Sequence, residues 1–170
     1  KGEFSEQVGT GVDCYSMRQP IGVCAGVTPF NFPAMVPMWM FPIAIVCGNC
    51  FILKPSEKDP SCSVKLAELL KEAGLPDGVI NMVTVSGKEI AKVVFENKDF
   101  AGLHFTGSTD VFRTLWRSIG NNIEKYKSYP RIVGETGGKD FIIAHKSAVV
   151  AEVATTISRG AFEFQGQKCS

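Results

Sequence analysis

Short apolar runs alternate with amphipathic stretches along most of the 170 residues, and this alternation limits the possible folds more than any other feature. Apolar runs of about four to eight residues between turn residues are typical of buried strands, and a period of about 3.6 residues is typical of helices. Strands that alternate with helices build a parallel sheet covered on both faces. We therefore predict an α/β fold with a doubly wound parallel sheet. The expected strands are 21–27, 51–54, 79–83, 102–106, 131–134 and 141–144, and the expected helices begin near residues 61, 89, 108 and 148.

The longest apolar run, residues 33–53, raises the question of a membrane span, which needs about 20 apolar residues. Pro37 and Pro42 interrupt this run, and Gly48 and Asn49 break it near its end. A buried helix, a turn and a buried parallel strand explain the same pattern without lipid. We therefore predict no membrane partner.

Charge and cysteine usage limit the partners and the compartment. The formal net charge is +1 and no basic block occurs, so nucleic acid is not an expected partner. The cysteines are irregularly spaced, which favours free thiols in a reducing compartment. Cys47 and Cys50 have the C-x-x-C spacing of a redox or zinc motif, but no second pair exists and the histidines are distant, so we expect no metal. We expect Gly48 to end a helix and both cysteines to pack as small hydrophobic residues.

Three polar side chains on separate segments form a candidate thioester site. Cys169 follows a helical stretch, Glu135 lies in the glycine-rich stretch 134–139, and Asn31 lies in the segment 28–33. A thiol attacks a carbonyl, an amide N–H stabilises the oxyanion, and a carboxylate then activates water to release the acyl group. Each residue alone also fits a structural role, as a buried cysteine, a turn carboxylate or a loop cap. A Cys-His hydrolase or a thiol redox module is the alternative of a different class.

A candidate phosphate site follows the strand expected at 102–106. Gly107 permits a close turn and Ser108 is a suitable helix cap, so main-chain N–H groups without helical partners would face a ligand there. Caps of this kind are common, and the G-x-G-x-x-G fingerprint of dinucleotide-binding sheets is absent from the sequence.

Taken together, these segments resemble the aldehyde dehydrogenase superfamily over the whole length of the chain. The motifs that carry the resemblance are Pro-Phe-Asn-Phe at 29–32, Lys-Pro-Ser-Glu at 54–57, Phe-Thr-Gly-Ser at 105–108, Gly-Glu-Thr-Gly-Gly-Lys at 134–139 and Gly-Gln-Lys-Cys at 166–169. The resemblance implies a Rossmann-like NAD-binding domain, present as a fragment of a longer enzyme, so the isolated chain is expected to be inactive. The implied divisions are an irregular lead-in at 1–18, a partial NAD-binding domain at 19–147, and at 148–170 a helix that leads into the catalytic domain and ends at the nucleophile.

The resemblance also implies a role for each catalytic candidate. Cys169 corresponds to the nucleophile that forms a thioester with the aldehyde. The Asn31 side-chain N–H and the Cys169 main-chain N–H correspond to the oxyanion donors. Glu135 corresponds to the base that activates the hydrolytic water.

The cofactor residues follow from the resemblance in the same way. Lys54 and Glu57 correspond to the pair that contacts the adenosine ribose hydroxyls, and Gly107 and Ser108 lie where the family binds the pyrophosphate. A glutamate that accepts both ribose hydroxyls would repel a 2′-phosphate, which favours NAD over NADP. One departure concerns the loop at 84–88, where Val85 stands in place of the glycine that relatives carry under the nucleotide.

The two halves of the chain resemble different members of the superfamily. Residues from about 12 to 82 look like methylmalonate-semialdehyde dehydrogenases, which transfer the acyl group to coenzyme A. Residues from about 97 to 170 look like Δ1-pyrroline-5-carboxylate (glutamate-semialdehyde) dehydrogenases. Glu135 is absent from the first group and favours water as the acceptor, so we expect glutamate 5-semialdehyde as the substrate. The resemblance further implies a homo-oligomer at full length, in the mitochondrial matrix of a eukaryote or the cytoplasm of a bacterium.

Overall fold

An antiparallel hairpin precedes the rest of the fold in the computed structural model, which describes residues 2–169. Its strands are β1 (Glu3–Gly9) and β2 (Val12–Ser16), and Gly11 between them has a φ of 71°. The hairpin is exposed on all sides. The description of residues 1–18 as an irregular lead-in is therefore wrong for residues 3–16. Two strands that pair locally satisfy their main-chain hydrogen bonds without a core, so no apolar run marks them in the sequence.

A five-stranded sheet, parallel throughout, is the centre of the fold. Its strands follow the order β5–β4–β3–β6–β7. The chain therefore builds outward from β3 to β5, returns to the other side of β3, and continues to β7. The bounds are β3 (Val23–Val27), β4 (Cys50–Lys54), β5 (Ile80–Met82), β6 (Phe100–Thr106) and β7 (Arg131–Glu135).

Helices follow the strands and cover both faces of the sheet, as predicted for a doubly wound fold. One face packs against the first two helices through a cluster that includes Val36, Met40 and Phe51. The other face packs against the third and fourth helices through a cluster that includes Ile90, Leu103 and Leu115. The helices are α1 (Met35–Val46), α2 (Ser61–Glu72), α3 (Gly87–Val94), α4 (Thr109–Gly120) and α5 (Val150–Phe162).

The long apolar run forms the predicted helix, turn and strand. Gly48 has a φ of 83° and follows the last turn of α1, which confirms that it ends the helix. Cys47 and Cys50 are both exposed, so the expectation that they pack as small hydrophobic residues is wrong. Over residues 2–169, no helix is long and apolar enough to cross a membrane, and no group of side chains has the composition of a metal site.

One further sequence prediction, the strand at 141–144, fails because a neighbouring strand is missing within residues 2–169. Residues 141–144 form no strand, and Phe141 and Ile143 are exposed, because no strand lies beside β7 on that side in the described part of the chain. On α4, Trp116 is 59% exposed. The helix buries Leu115 and Ile119 instead.

Candidate active site

The candidate residues lie at the carboxyl edge of the sheet, where parallel strands end together. The strand order reverses between β3 and β6, and ligands of open α/β sheets bind in the crevice that such a reversal creates. The segments that leave β3, β4, β6 and β7 at this edge carry Asn31, Lys54, Ser108 and Glu135, in that order.

Asn31 contacts the segment that carries Cys169. Its side-chain Nδ2 donates a hydrogen bond of 2.5 Å to the main-chain oxygen of Gln167. The neighbouring Phe32 ring stacks on Phe164 with a centroid separation of 5.2 Å and an interplanar angle of 5°. The Asn31 Oδ1 atom is buried and has no hydrogen-bond partner among the described residues. The loop after β3 therefore holds the Cys169 segment through one polar contact and one aromatic contact.

The glycine-rich turn after β7 contacts Cys169 directly. A Cβ atom added at Gly138 would overlap both the main-chain oxygen of Cys169 and the carboxylate of Asp140, so only glycine fits there. Glu135 is exposed and ends the strand three residues earlier. The structure thus brings the three segments that carry Asn31, Glu135 and Cys169 to one place, as the thioester hypothesis requires.

The Lys54 side chain lies beneath the loop that follows β4. Lys54 is 4% exposed, and its Nζ forms an ion pair of 2.8 Å with Glu57, which is 53% exposed. The hydrogen bond from Lys54 lowers the pKa of the Glu57 carboxyl below its ordinary value, and the main-chain N–H of Gly87 adds to the effect. A buried cation is costly unless it is paired, so this pair fixes a carboxylate at the carboxyl edge of the sheet.

The predicted phosphate site has the geometry of a helix cap. Ser108 is the N-cap residue of α4, and its hydroxyl oxygen accepts a hydrogen bond of 3.4 Å from the Val111 N–H. The N–H of Gly107 donates to the Glu135 main-chain oxygen at 3.1 Å. A Cβ atom at Gly107 would lie 2.8 Å from the Phe105 ring, which explains why glycine stands there.

The loop at 84–88, where Val85 replaces the glycine of relatives, leads into a capped helix. Ser86 and Glu89 form a capping box, in which each side chain accepts a hydrogen bond from the main-chain N–H of the other residue. Val85 packs against the apolar core beneath α3. The main chain of Gly87 instead faces Glu57. The spacing of Ser86 and Glu89 in the sequence predicts a capping box. The partial burial of Val85 depends on tertiary packing and is not predicted by the sequence.

A cleft that the sequence does not predict lies between α3 and α4. It encloses about 660 Å³, and Gly87, Ala91, Val111 and Leu115 contribute to its walls. Gly87 and Ala91 are four residues apart and so share one face of α3. Small residues at this spacing are the sign of the cleft that the sequence offers. The position of α4 relative to α3 depends on the tertiary structure.

Two buried hydroxyl groups lie between the catalytic and the phosphate segments. Thr28 and Thr106 are each 4% exposed, and neither hydroxyl oxygen has a hydrogen-bond partner among the described residues. Thr106 is in register with Glu135 on the neighbouring strand. His104 lies two residues before Thr106 and is half-buried. Burial lowers the pKa of His104, and the nearby Glu135 carboxylate partly opposes this shift.

A parallel sheet with helices on both faces, and with Asn31, Glu135 and the Cys169 segment at its carboxyl edge, defines the class of a Rossmann-like α/β fold. The chain matches the aldehyde dehydrogenase family over residues 1–170 and belongs to that family.

Relatives of two kinds match most of the chain. The acylating mitochondrial methylmalonate-semialdehyde dehydrogenase of Arabidopsis thaliana is 43% identical over 99% of this chain and 26% of its own length. The Δ1-pyrroline-5-carboxylate dehydrogenase of Agaricus bisporus is 46% identical over 88% of this chain and 27% of its own length. The Δ1-pyrroline-5-carboxylate dehydrogenase structure from Mycobacterium tuberculosis, solved with NAD bound, is 46% identical, with a TM-score of 0.80 over 90% of this chain and 28% of that one.

The lengths of these alignments show two things about the chain. The chain spans about a quarter to a third of the length of the curated relatives it matches. Each kind of relative also matches far more than one half of the chain, so the two resemblances overlap along the sequence.

Proposed function

We propose that the whole protein oxidises an aldehyde to its carboxylate with NAD through a thioester on Cys169. The observation that carries this proposal is the hydrogen bond from Asn31 to Gln167, because it brings an amide donor to the segment of the nucleophile. The contact between Gly138 and Cys169 brings the Glu135 segment to the same place. Family membership supports the same reaction class.

In this proposal the chain's own residues carry out three tasks. The Cys169 thiol releases its proton to solvent and its sulfur attacks the aldehyde carbon, and the Asn31 amide N–H with the Cys169 main-chain N–H stabilises the oxyanion that forms. NAD, when bound, would supply the acceptor for the hydride that leaves this carbon, and a thioester remains on Cys169. Glu135 then takes a proton from water, and the hydroxide releases the carboxylate and restores the thiol.

The residues at the edge of the sheet fit the two ends of a dinucleotide. The ionised Glu57, fixed by Lys54, suits the ribose hydroxyls and repels a 2′-phosphate, so we propose NAD rather than NADP. Gly107 and Ser108, at the N-terminus of α4, suit the pyrophosphate. The cleft between α3 and α4 has apolar walls for the adenine. We assign residues 19–147 to this NAD-binding domain and 148–170 to the connection with the catalytic domain.

We further propose L-glutamate 5-semialdehyde as the substrate. The free carboxylate of Glu135 at the end of β7 supports hydrolysis of the thioester by water. The second candidate is methylmalonate or malonate semialdehyde with coenzyme A as the acyl acceptor, which the relatives of that name support. We also propose a homo-oligomer, in the mitochondrial matrix or the cytoplasm according to the source organism.

A steady-state assay of the whole protein separates the candidates. We expect NADH formation with glutamate 5-semialdehyde and no dependence on coenzyme A. Faster turnover with malonate semialdehyde, and only in the presence of coenzyme A, would instead establish the acylating reaction. Absence of NADH formation with both aldehydes would refute the proposed function.

A further inference from the structure

The turn that leads to Cys169 has an unusual main-chain conformation. Phe164, Gln165 and Gly166 have φ angles of 57°, 52° and 68°, so three consecutive residues lie in the left-handed region. Glycine adopts this region readily, whereas phenylalanine and glutamine rarely do. Strained residues of this kind persist only where surrounding contacts hold them, and they concentrate at functional sites.

One carboxylate joins the two ends of this turn. Glu163, immediately before the turn, accepts a hydrogen bond of 2.9 Å from the Nζ of Lys168, which is the residue next to Cys169. The same carboxylate accepts a hydrogen bond of 3.3 Å from Arg159, one turn earlier on α5. Lys168 and then Arg159 lower the pKa of the Glu163 carboxyl, so it stays ionised at neutral pH. The turn is therefore closed by an ion pair that is anchored to a helix.

The contacts from Asn31 and Phe32 attach the turn to the loop that follows β3. Within the turn the Gln167 N–H donates a hydrogen bond of 2.9 Å to the Phe164 main-chain oxygen, and the Glu163 ion pairs join the two ends of the turn. The Glu163 and Lys168 side chains are 43% and 35% exposed, and exposed ion pairs contribute little to folding stability. Loss of Glu163 should therefore leave global stability almost unchanged but allow the strained turn to relax.

We propose that Glu163 is a positioning residue, which holds the Cys169 thiol in its reactive position by closing the turn through Lys168. The proposal deepens the proposed function and rests on the assignment of Cys169 as the nucleophile. Glu163 has no role in the chemical steps described above, and it acts only through the geometry of residues 164–168.

The test compares Glu163→Gln, Lys168→Gln, the double variant and Glu163→Asp in the whole protein. We expect Glu163→Gln to lower the rate of the first NADH burst about tenfold, because small displacements of reacting groups are costly. The KM for NAD and the melting temperature should stay close to wild type. The double variant should be no slower than the slower single variant, because both changes break one ion pair. Glu163→Asp, which keeps the charge, should recover most of the burst rate.

The matched control is Glu152→Gln on the same helix, because Glu152 forms no ion pair within residues 2–169. A wild-type burst rate in Glu163→Gln would overturn the proposal, as would additive losses in the double variant or a lower melting temperature that accounts for the whole effect.

A second readout does not depend on turnover. Iodoacetamide alkylation of Cys169, followed peptide by peptide, should change in rate in Glu163→Gln while alkylation of Cys47 stays the same. An unchanged rate at Cys169 would overturn the positioning role. A wild-type protein that forms no NADH while its Cys169 alkylation still depends on Glu163 would refute the proposed function and leave the positioning role supported.

Discussion

The side-chain amide of Asn31 donates a hydrogen bond to the main-chain oxygen of Gln167, which lies 136 positions further along the chain. Asn31 lies in the loop after β3, the first strand of the parallel sheet, and Gln167 lies two residues before Cys169. An amide carries two N–H donors, so Asn31 can hold this segment with one and serve an oxyanion with the other. The positions of the proposed oxyanion donor and the proposed nucleophile are therefore coupled through a single side chain.

Replacement of Asn31 by alanine should lower kcat about hundredfold, because one oxyanion donor contributes about 3 kcal/mol to transition-state stabilisation. The KM for NAD should change little. The control is Asn122→Ala, which removes a similar amide-to-carbonyl hydrogen bond of 2.9 Å far from this edge of the sheet. A kcat for Asn31→Ala within threefold of wild type would exclude the oxyanion role.

Replacement of Cys169 by alanine should abolish NADH formation in the whole protein, because no thioester can form. NAD binding, measured by calorimetry, should remain close to wild type. Cys47→Ala, which removes an exposed thiol elsewhere, should retain full activity. The assignment is wrong if iodoacetamide inactivates the enzyme by labelling another cysteine while Cys169 stays unmodified.

Replacement of Glu135 by glutamine should allow one burst of NADH and then stop turnover, because hydride leaves before the thioester is hydrolysed. Rapid-quench measurement of the burst amplitude against the number of sites checks this. Normal steady-state turnover would show that Glu135 is not the base. Recovery of turnover on addition of coenzyme A would favour the acylating reaction.

Local signals in the sequence predicted the sheet strands and the ends of the helices well. Ser108 as a helix cap and Gly48 as a helix end were both correct, because each depends only on residues next to it in the chain. Residues 141–144 have the composition of a strand, but a strand also needs a neighbour, and no sequence pattern shows whether one is present. The hairpin at residues 3–16 was missed for the opposite reason, since it pairs without burying a face.

The candidate site was only partly readable from the sequence. The motifs predicted which side chains belong to it, but not the contacts that join them. The stacking of Phe32 on Phe164 and the fit of Gly138 against Cys169 link segments far apart in the chain. Such contacts depend on the order of the strands, and residue composition at either position gives no sign of them.

The Lys54–Glu57 ion pair should make stability depend on pH in a specific direction. The pKa of Glu57 is lower in the folded state than its ordinary value, so the pair stabilises the fold above the ordinary range of glutamate. This contribution should be lost as the pH falls through the folded-state pKa. Melting curves of wild type and Glu57→Gln should therefore differ at pH 7 and converge in acid.

The control for this pair is Glu68→Gln, because Lys65 and Glu68 have the same spacing but are both exposed. Its melting temperature should match wild type at every pH. Since the pKa of Glu57 lies below its ordinary value, the KM for NAD should not rise as the pH falls from 8 towards the ordinary pKa of glutamate, about 4.3. A KM that rises steeply within this range would contradict the assignment of Glu57 to the ribose hydroxyls.

Replacement of Gly26 by alanine should destabilise the sheet from its centre. A Cβ atom there would lie 2.7 Å from an edge atom of the Phe51 ring and 3.1 Å from the Met40 sulfur, and both side chains are buried. Overpacking of a filled core costs about 1–3 kcal/mol, which urea unfolding of the whole protein should detect. Gly120→Ala is the opposite case, because its Cβ would meet open space at the end of α4. It should stabilise the fold by about 0.4–1 kcal/mol through the unfolded state, and equal effects of the two substitutions would contradict the packing described for Gly26.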